Sequence, residues 1–171
     1  MELDHLRRHL FPNTQEHALL RQVLMAQDGS TTRLCAALAK GSLELAMYLQ
    51  ERHSDVPRLV KEALGGSAWL ERVTCLHAGG EVMMDNLSFT RLDNAPEWFL
   101  AELDRGAAPV GRLLESLFVR REAAPASPDV ARLLWDRVGL PDPEHSRSYV
   151  VRMSEGPLMY IYETYRAGLV S

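Results

Sequence analysis

Residues 147–165 read RSYVVRMSEGPLMYIYETY, two runs of bulky apolar and aromatic side chains around a turn at Glu155–Gly156. This pattern predicts a β-hairpin. It decides the fold class, because hairpins build antiparallel sheets and the rest of the chain lacks a regular βαβ alternation. Side chains alternate along a strand, so Glu163 shares a face with Met159, Ile161 and Tyr165. An ionised carboxylate is costly to bury without a partner. Glu163 therefore marks either an ion pair within the fold or a site.

A second hairpin lies upstream. WLERVTCLHAGGEVMMDNLSFTRL, residues 69–92, turns at Gly79–Gly80. On its first strand Arg72 shares a face with Leu70, Thr74 and Leu76. Between and before the hairpins the texture is helical. Residues 15–26 place Leu19, Leu20, Val23 and Leu24 on one stripe, and Gly29 breaks the pattern before Ser30 or Thr31 caps a new helix. Residues 43–53 alternate like a strand but carry the Glu, Ala and Met content of a helix. Short helices follow over 56–64, ending at Gly65–Gly66, and over 95–106, closing at Gly106. PVGRLLESLFVRRE, 109–122, reads as a short helix running into a strand, and a further helix is expected near 128–138. MELDHLRRHL suits a short amphipathic helix, so residues 1–27 are expected to form an N-terminal helical segment. The expectation is an α+β fold with an antiparallel sheet and flanking helices.

With 171 residues the chain is long enough for one well-buried core, and a single domain over 1–171 is expected. A net charge of −4 excludes the global basic field that nucleic-acid binding requires. Only two of the 19 basic residues are lysines, Lys40 and Lys61; the arginine bias suits recognition of planar carboxylates and also follows from coding bias. Cys35 and Cys75 stand in no metal-ligand pattern and read as buried thiols of a reducing compartment. No apolar run approaches a membrane span, and the amino terminus has no signal-peptide core, so a cytoplasmic protein is expected.

Chemistry concentrates at a few positions. An arginine facing a glutamate across a sheet, Arg72 and Glu163, reads first as a structural salt bridge and second as an anion-binding pocket with a proton-handling carboxylate. The helix start at Thr31 and the Pro-x-Gly turn at Val110 offer backbone N–H groups to an anion. Cys75 and His77 share a strand face but lack the third partner of a nucleophilic site. The other five histidines show no metal-site spacing. Tyr160 and Tyr162 face away from Glu163 and read as packing; Arg120 and Arg121 read as a solvated strand end, with a pocket role as the minor alternative.

Taken together, DGSTTRLCAAL (28–38), WLERVTCLHAGGEV (69–82), APVGRLL (108–114) and the closing hairpin resemble the bacterial chorismate pyruvate-lyase family, in the right order and over most of the chain. The resemblance is closer to the branch that makes 4-hydroxybenzoate for secondary lipids; the Gly-Arg pair and proline of the ubiquinone branch are replaced by MMDNLSFTRL. By the resemblance, this departure puts Asp85 and Asn86 near the pocket edge, where an aspartate would repel a carboxylate. The resemblance implies a roughly six-stranded antiparallel sheet enclosing a ligand beneath helix-turn flaps, and conversion of chorismate into 4-hydroxybenzoate and pyruvate without metal or organic cofactor. Arg72 then matches the arginine that binds the ligand carboxylate, and Glu163 the glutamate at the ring hydroxyl or ether. Thr31 and Val110 match the flap positions, and Arg147 a supporting arginine at a strand start. A small-molecule substrate is the implied partner, with no nucleic acid or membrane, and a monomer is expected. The alternatives are an enzyme of this fold acting on another biosynthetic intermediate, such as a cyclase, or a non-catalytic aromatic-acid-binding domain.

Overall fold

A computed structural model describes residues 3–171. Six strands, β1 (Glu44–His53), β2 (Trp69–Ala78), β3 (Glu81–Arg91), β4 (Arg120–Ala123), β5 (Ser146–Met153) and β6 (Gly156–Tyr165), form one sheet in the order β1-β2-β3-β6-β5-β4. Every neighbouring pair is antiparallel. The helices are α1 (Ala18–Ala26), α2 (Thr31–Leu38), α3 (Arg58–Leu64), α4 (Glu97–Arg105), α5 (Val110–Leu114) and α6 (Pro128–Val138). None is long and apolar enough to cross a membrane.

The two hairpins form the centre of the sheet. Gly79 and Gly80 both have positive φ, +57° and +81°, the geometry that a two-residue turn matched to strand twist demands. β3 then docks on β6 with Asn86 opposite Glu163, and β5 returns with Arg147 on the other side of Glu163. Where the sequence left helix and strand open, at 43–53, the strand prevails. β2 is buried along its whole length, so its free edge needs a partner, and pairing along β1 outweighs the local helix preference.

The N-terminal decapeptide does not follow its amphipathic pattern. Met1 and Glu2 lie outside the described residues, and residues 3–10 are extended or turn rather than helix. Arg7 bridges Glu81 and Leu10 bridges Arg166. The reason is the backbone at the start of β3, beyond the end of β6. Arg7 donates to the Gly80 carbonyl at 2.8 Å and accepts from Val82 at 2.9 Å. A helix there would leave those groups unpaired.

Strand parity sorts the core into two faces. Trp69, Val73, Leu87, Phe89, Tyr160 and Tyr162 pack against Val60 and Leu64 of α3 and Val130 and Leu134 of α6. On the opposite face Leu70, Met159 and Ile161 pack against Phe99 and Leu103 of α4 and Leu113 and Leu114 of α5. Each such side chain, fully buried, contributes roughly 1.5–3 kcal/mol. α2 covers the end of this second face, where Cys35 meets Leu76, Met84 and Tyr165. Glu163 belongs to that face, under α2 and α5.

Candidate functional site

Ser30 caps α2, its hydroxyl accepting from the Arg33 N–H at 3.3 Å, and so fixes the first helical residue, Thr31, over β6. Thr31 donates from Oγ1 to Glu163 Oε1 at 2.9 Å. Arg147 donates from Nε to the same oxygen at 2.7 Å and from Nη2 to Thr31 Oγ1 at 3.0 Å, while its Nη1 reaches the Gln27 carbonyl. The Tyr149 hydroxyl donates to Oε2 at 3.2 Å. The Tyr165 hydroxyl lies 3.0 Å from both Oε1 and the Leu24 carbonyl. The Arg147 guanidinium also stacks over Tyr149 and Tyr165, 5.1 and 5.8 Å from the ring centroids. Proximity to the Glu163 carboxylate and burial together push the Tyr149 and Tyr165 hydroxyls well above the ordinary phenol range, burial being the larger cause.

Glu163 is only 1% exposed yet lines a narrow cleft of about 20 Å³. Thr31 and Thr32 of α2, Val110, Gly111 and Leu114 of α5, and Asn86, Tyr149 and Ile161 of the sheet form the rest of its principal walls. In this conformation the cleft takes about one water, so a ring enters only where α2 and α5 give way. α2 and α5 close over it at a tight joint. A Cβ placed on Gly111 would lie 2.2 Å from Thr32 Oγ1 and 2.9 Å from Thr32 Cβ.

The expected pairing of Arg72 with Glu163 does not form. Glu163 takes Arg147, its direct cross-strand neighbour, as its ionic partner. Arg72 lies on the same face one row away. That row runs Arg72, Ser88, Ile161, Tyr149, beside the row Thr74, Asn86, Glu163, Arg147. Strand spacing and rise put the two Cα atoms ~12 Å apart. Arg72 is 2% exposed, its Nε and Nη2 have no hydrogen-bond partner, and burial pulls the guanidinium down to about 10 despite the attraction of Asp104. A buried guanidinium without an anion is an incomplete interaction.

Asp85 does not approach this cavity. Adjacent strand residues point to opposite faces, so Asn86 enters the cavity wall and Asp85 leaves it. On the far face Asp85, fully buried, accepts from Arg8 Nε and Nη2 and from Arg166 Nε, each at 2.8 Å. Arg8 Nη2 also reaches the Tyr48 hydroxyl at 2.8 Å, and Arg166 Nη2 the Leu140 carbonyl. The aspartate is neutralised there and repels nothing in the cavity. Cys75 and His77 likewise form no nucleophilic pair. Cys75 Sγ contacts the Tyr48 hydroxyl at 3.7 Å, burial pushes its thiol up to about 11, and the His77 ring packs edge-on to His5.

The sequence matches, over residues 25–170, the family described as chorismate pyruvate-lyase Rv2949c-like. The chain belongs to that family. No curated protein matches it. Among solved structures it is similar to PhnF from Mycobacterium smegmatis at 16% identity and a TM-score of 0.54, covering 99% of this chain and 92% of that one. The effector domain of PhnF gives 15% identity and a TM-score of 0.54, covering 83% and 91%. At these identities the likeness shows the six-stranded antiparallel fold and nothing finer.

Within this lyase-family chain, the structure brings Thr31, Val110 and Glu163 to one cavity, with Arg147 holding Glu163 from behind. Sequence reasoning misplaced Arg121, read as a solvated strand end. Its parity on β4 matches Tyr149 and Val151, it lines the cavity, and its Nε is buried without a partner. The available signal was the alternation RRE: if Glu122 faces solvent, Arg121 faces in.

Proposed function

We propose that the chain is a chorismate pyruvate-lyase, binding the ring of chorismate beneath α2 and α5 and releasing 4-hydroxybenzoate and pyruvate. One observation carries this reading. A hydrogen-bonded carboxylate, Glu163, lines a cleft beneath α2 and α5, while a buried arginine on the same sheet face, Arg72, has no ion-pair partner of its own. The ring carboxylate supplies that anion as a bidentate partner. Glu163 receives the ring hydroxyl.

The elimination breaks the ring C–O bond to the enolpyruvyl group and the C–H bond at the neighbouring hydroxyl-bearing carbon. The C–H electron pair enters the ring, which becomes aromatic. The C–O pair leaves with enolpyruvate, which gains a proton at its methylene carbon to become pyruvate. The overall change is redox-neutral, and much of its driving force is aromatisation. The site therefore has to orient the substrate and stabilise charge at the departing oxygen.

The sequence suggested Glu163 as a proton donor. The geometry favours an acceptor. Both oxygens already accept from Thr31, Arg147, Tyr149 or Tyr165, and a donating carboxyl would have to lose one of these contacts. Thr31, Arg147 and Tyr149 are positioning residues that hold the carboxylate in place. Incubating the purified chain with chorismate and following both products tests the reading, and absence of both overturns it. Glu163→Gln is expected to lower kcat/KM about 100-fold or more; wild-type turnover in that variant removes Glu163 from the mechanism.

A second reading is a binder of aromatic acids without turnover. The likeness to a domain described as an effector domain supports it. A melting temperature raised by 4-hydroxybenzoate in a protein that leaves chorismate intact selects it.

A further inference from the structure

Arg121 stands at a junction. It lines the inner cavity with Glu163 and Tyr149, and also an adjoining hollow of about 170 Å³ shared with Gln27, Arg147 and Tyr149. A third hollow, toward Ser30, Arg33 and Glu115, shares it as well. It makes no hydrogen bond or ion pair with any described residue, and its Nε is buried. The acid beside it in the chain, Glu122, is turned the other way and taken by Arg120 and Arg152. Asp28 and Glu115 edge the outer hollows without pairing to it.

Arg72 and Arg121 are thus two arginines on one sheet face, neither in an ion pair: Arg121 lines the cavity, and Arg72 lies buried beyond its walls, one row from Glu163. Four strand spacings and two residues separate them, ~20 Å between Cα atoms. Two inward-reaching arginine side chains and a small molecule with a carboxylate at each end fill such a span. A monocarboxylate satisfies one arginine only.

We propose that Arg121 is the second carboxylate anchor of the site, holding the acid group of the side chain that leaves the ring while Arg72 holds the ring carboxylate. This rests on reading the cavity as a chorismate site. It assigns Arg121 the discrimination between substrate, with two carboxylates, and aromatic product, with one. It also places the departing three-carbon acid at the outer hollow.

The test uses the full chain and two unreactive ligands measured by calorimetry, 4-hydroxybenzoate and the dicarboxylate 3-(carboxymethoxy)benzoate, alongside chorismate kinetics. Arg121→Gln is expected to weaken the dicarboxylate ~tenfold or more and to raise KM for chorismate similarly, with 4-hydroxybenzoate affinity held within about twofold. Arg121→Lys keeps the charge without the planar fork and recovers part of the loss. Retained 4-hydroxybenzoate binding shows that the variants are folded. Equal weakening of both acids, or of neither, overturns the assignment. If wild-type protein releases no pyruvate but Arg121→Gln still loses the dicarboxylate selectively, the lyase reading falls and the anchor stands. If wild type turns over chorismate and the variant keeps its KM, the anchor falls alone. A wild type that binds neither acid overturns both.

Discussion

The two faces of the sheet both bury charge, and they do so differently. On the face under α3 and α6, Asp85 is held by Arg8 and Arg166, and each arginine has a further oxygen acceptor. On the face under α2, α4 and α5, Glu163 is held by Arg147, but Arg72 and Arg121 are left over. The first network is closed around one carboxylate, with Arg166 Nη1 alone left without a partner, and ties the N-terminal arm to the sheet. The second is open by two guanidinium groups. A fold that supplies partners to buried arginines on one face and withholds them on the other has left room for anions from outside.

The comparison breaks if the closed network proves dispensable. Asp85→Ala leaves two cations buried without their carboxylate and should cost about 3–5 kcal/mol, read as a lower urea midpoint. A neutral result there would dissolve the contrast. Arg72→Met should act in the opposite sense, raising stability by about 1–3 kcal/mol because a buried unpaired charge is exchanged for an apolar chain of similar reach. The same variant should lose the melting shift given by 4-hydroxybenzoate. Destabilisation with retained binding would show that Arg72 serves the fold.

The sign of the pH dependence sharpens the point. Arg72 has its folded value pulled down to about 10 from 12.5, so its destabilisation is full below about pH 10 and is relieved as pH rises through that value. The stability gap between Arg72→Met and wild type should stay constant up to about pH 9.5 and narrow as pH rises from about 10 toward 12.5 in parallel unfolding curves. The smallest effect expected is that of Thr31→Val, which removes one hydroxyl from the Glu163 cluster and should cost about 1 kcal/mol. It should also slow turnover through Glu163 misplacement, with KM less affected than kcat.

Much of this was legible in the sequence because local chemistry dictated it. Gly79–Gly80 fixed one hairpin turn, Ser127 and Pro128 announced α6, and the apolar alternation around Glu163 exposed its carboxylate as anomalous. The partner of Glu163 was not legible. Choosing Arg147 over Arg72 requires the register of β5 on β6, and register is set by packing across the sheet rather than by either strand alone. Asn86 does line the cavity, and Asp85 was misread beside it although parity forbids two neighbours on one face. Arg121 was ranked as solvated because the alternation RRE sits in a strand of only four residues, and nothing local says that Glu122 rather than Arg121 takes the solvent side. The N-terminal arm carries a helical pattern that loses to unpaired backbone groups on a distant hairpin, a competitor that no local window contains.

Gly111 carries one last consequence. With the Thr32 hydroxyl where the first carbon of any side chain would sit, α2 and α5 meet over the cavity with no slack. Even an alanine there has to prise the two helices apart. If the cleft holds chorismate as proposed, a methyl group added here is expected to loosen the roof and speed release of the bound acid without touching a single charged residue.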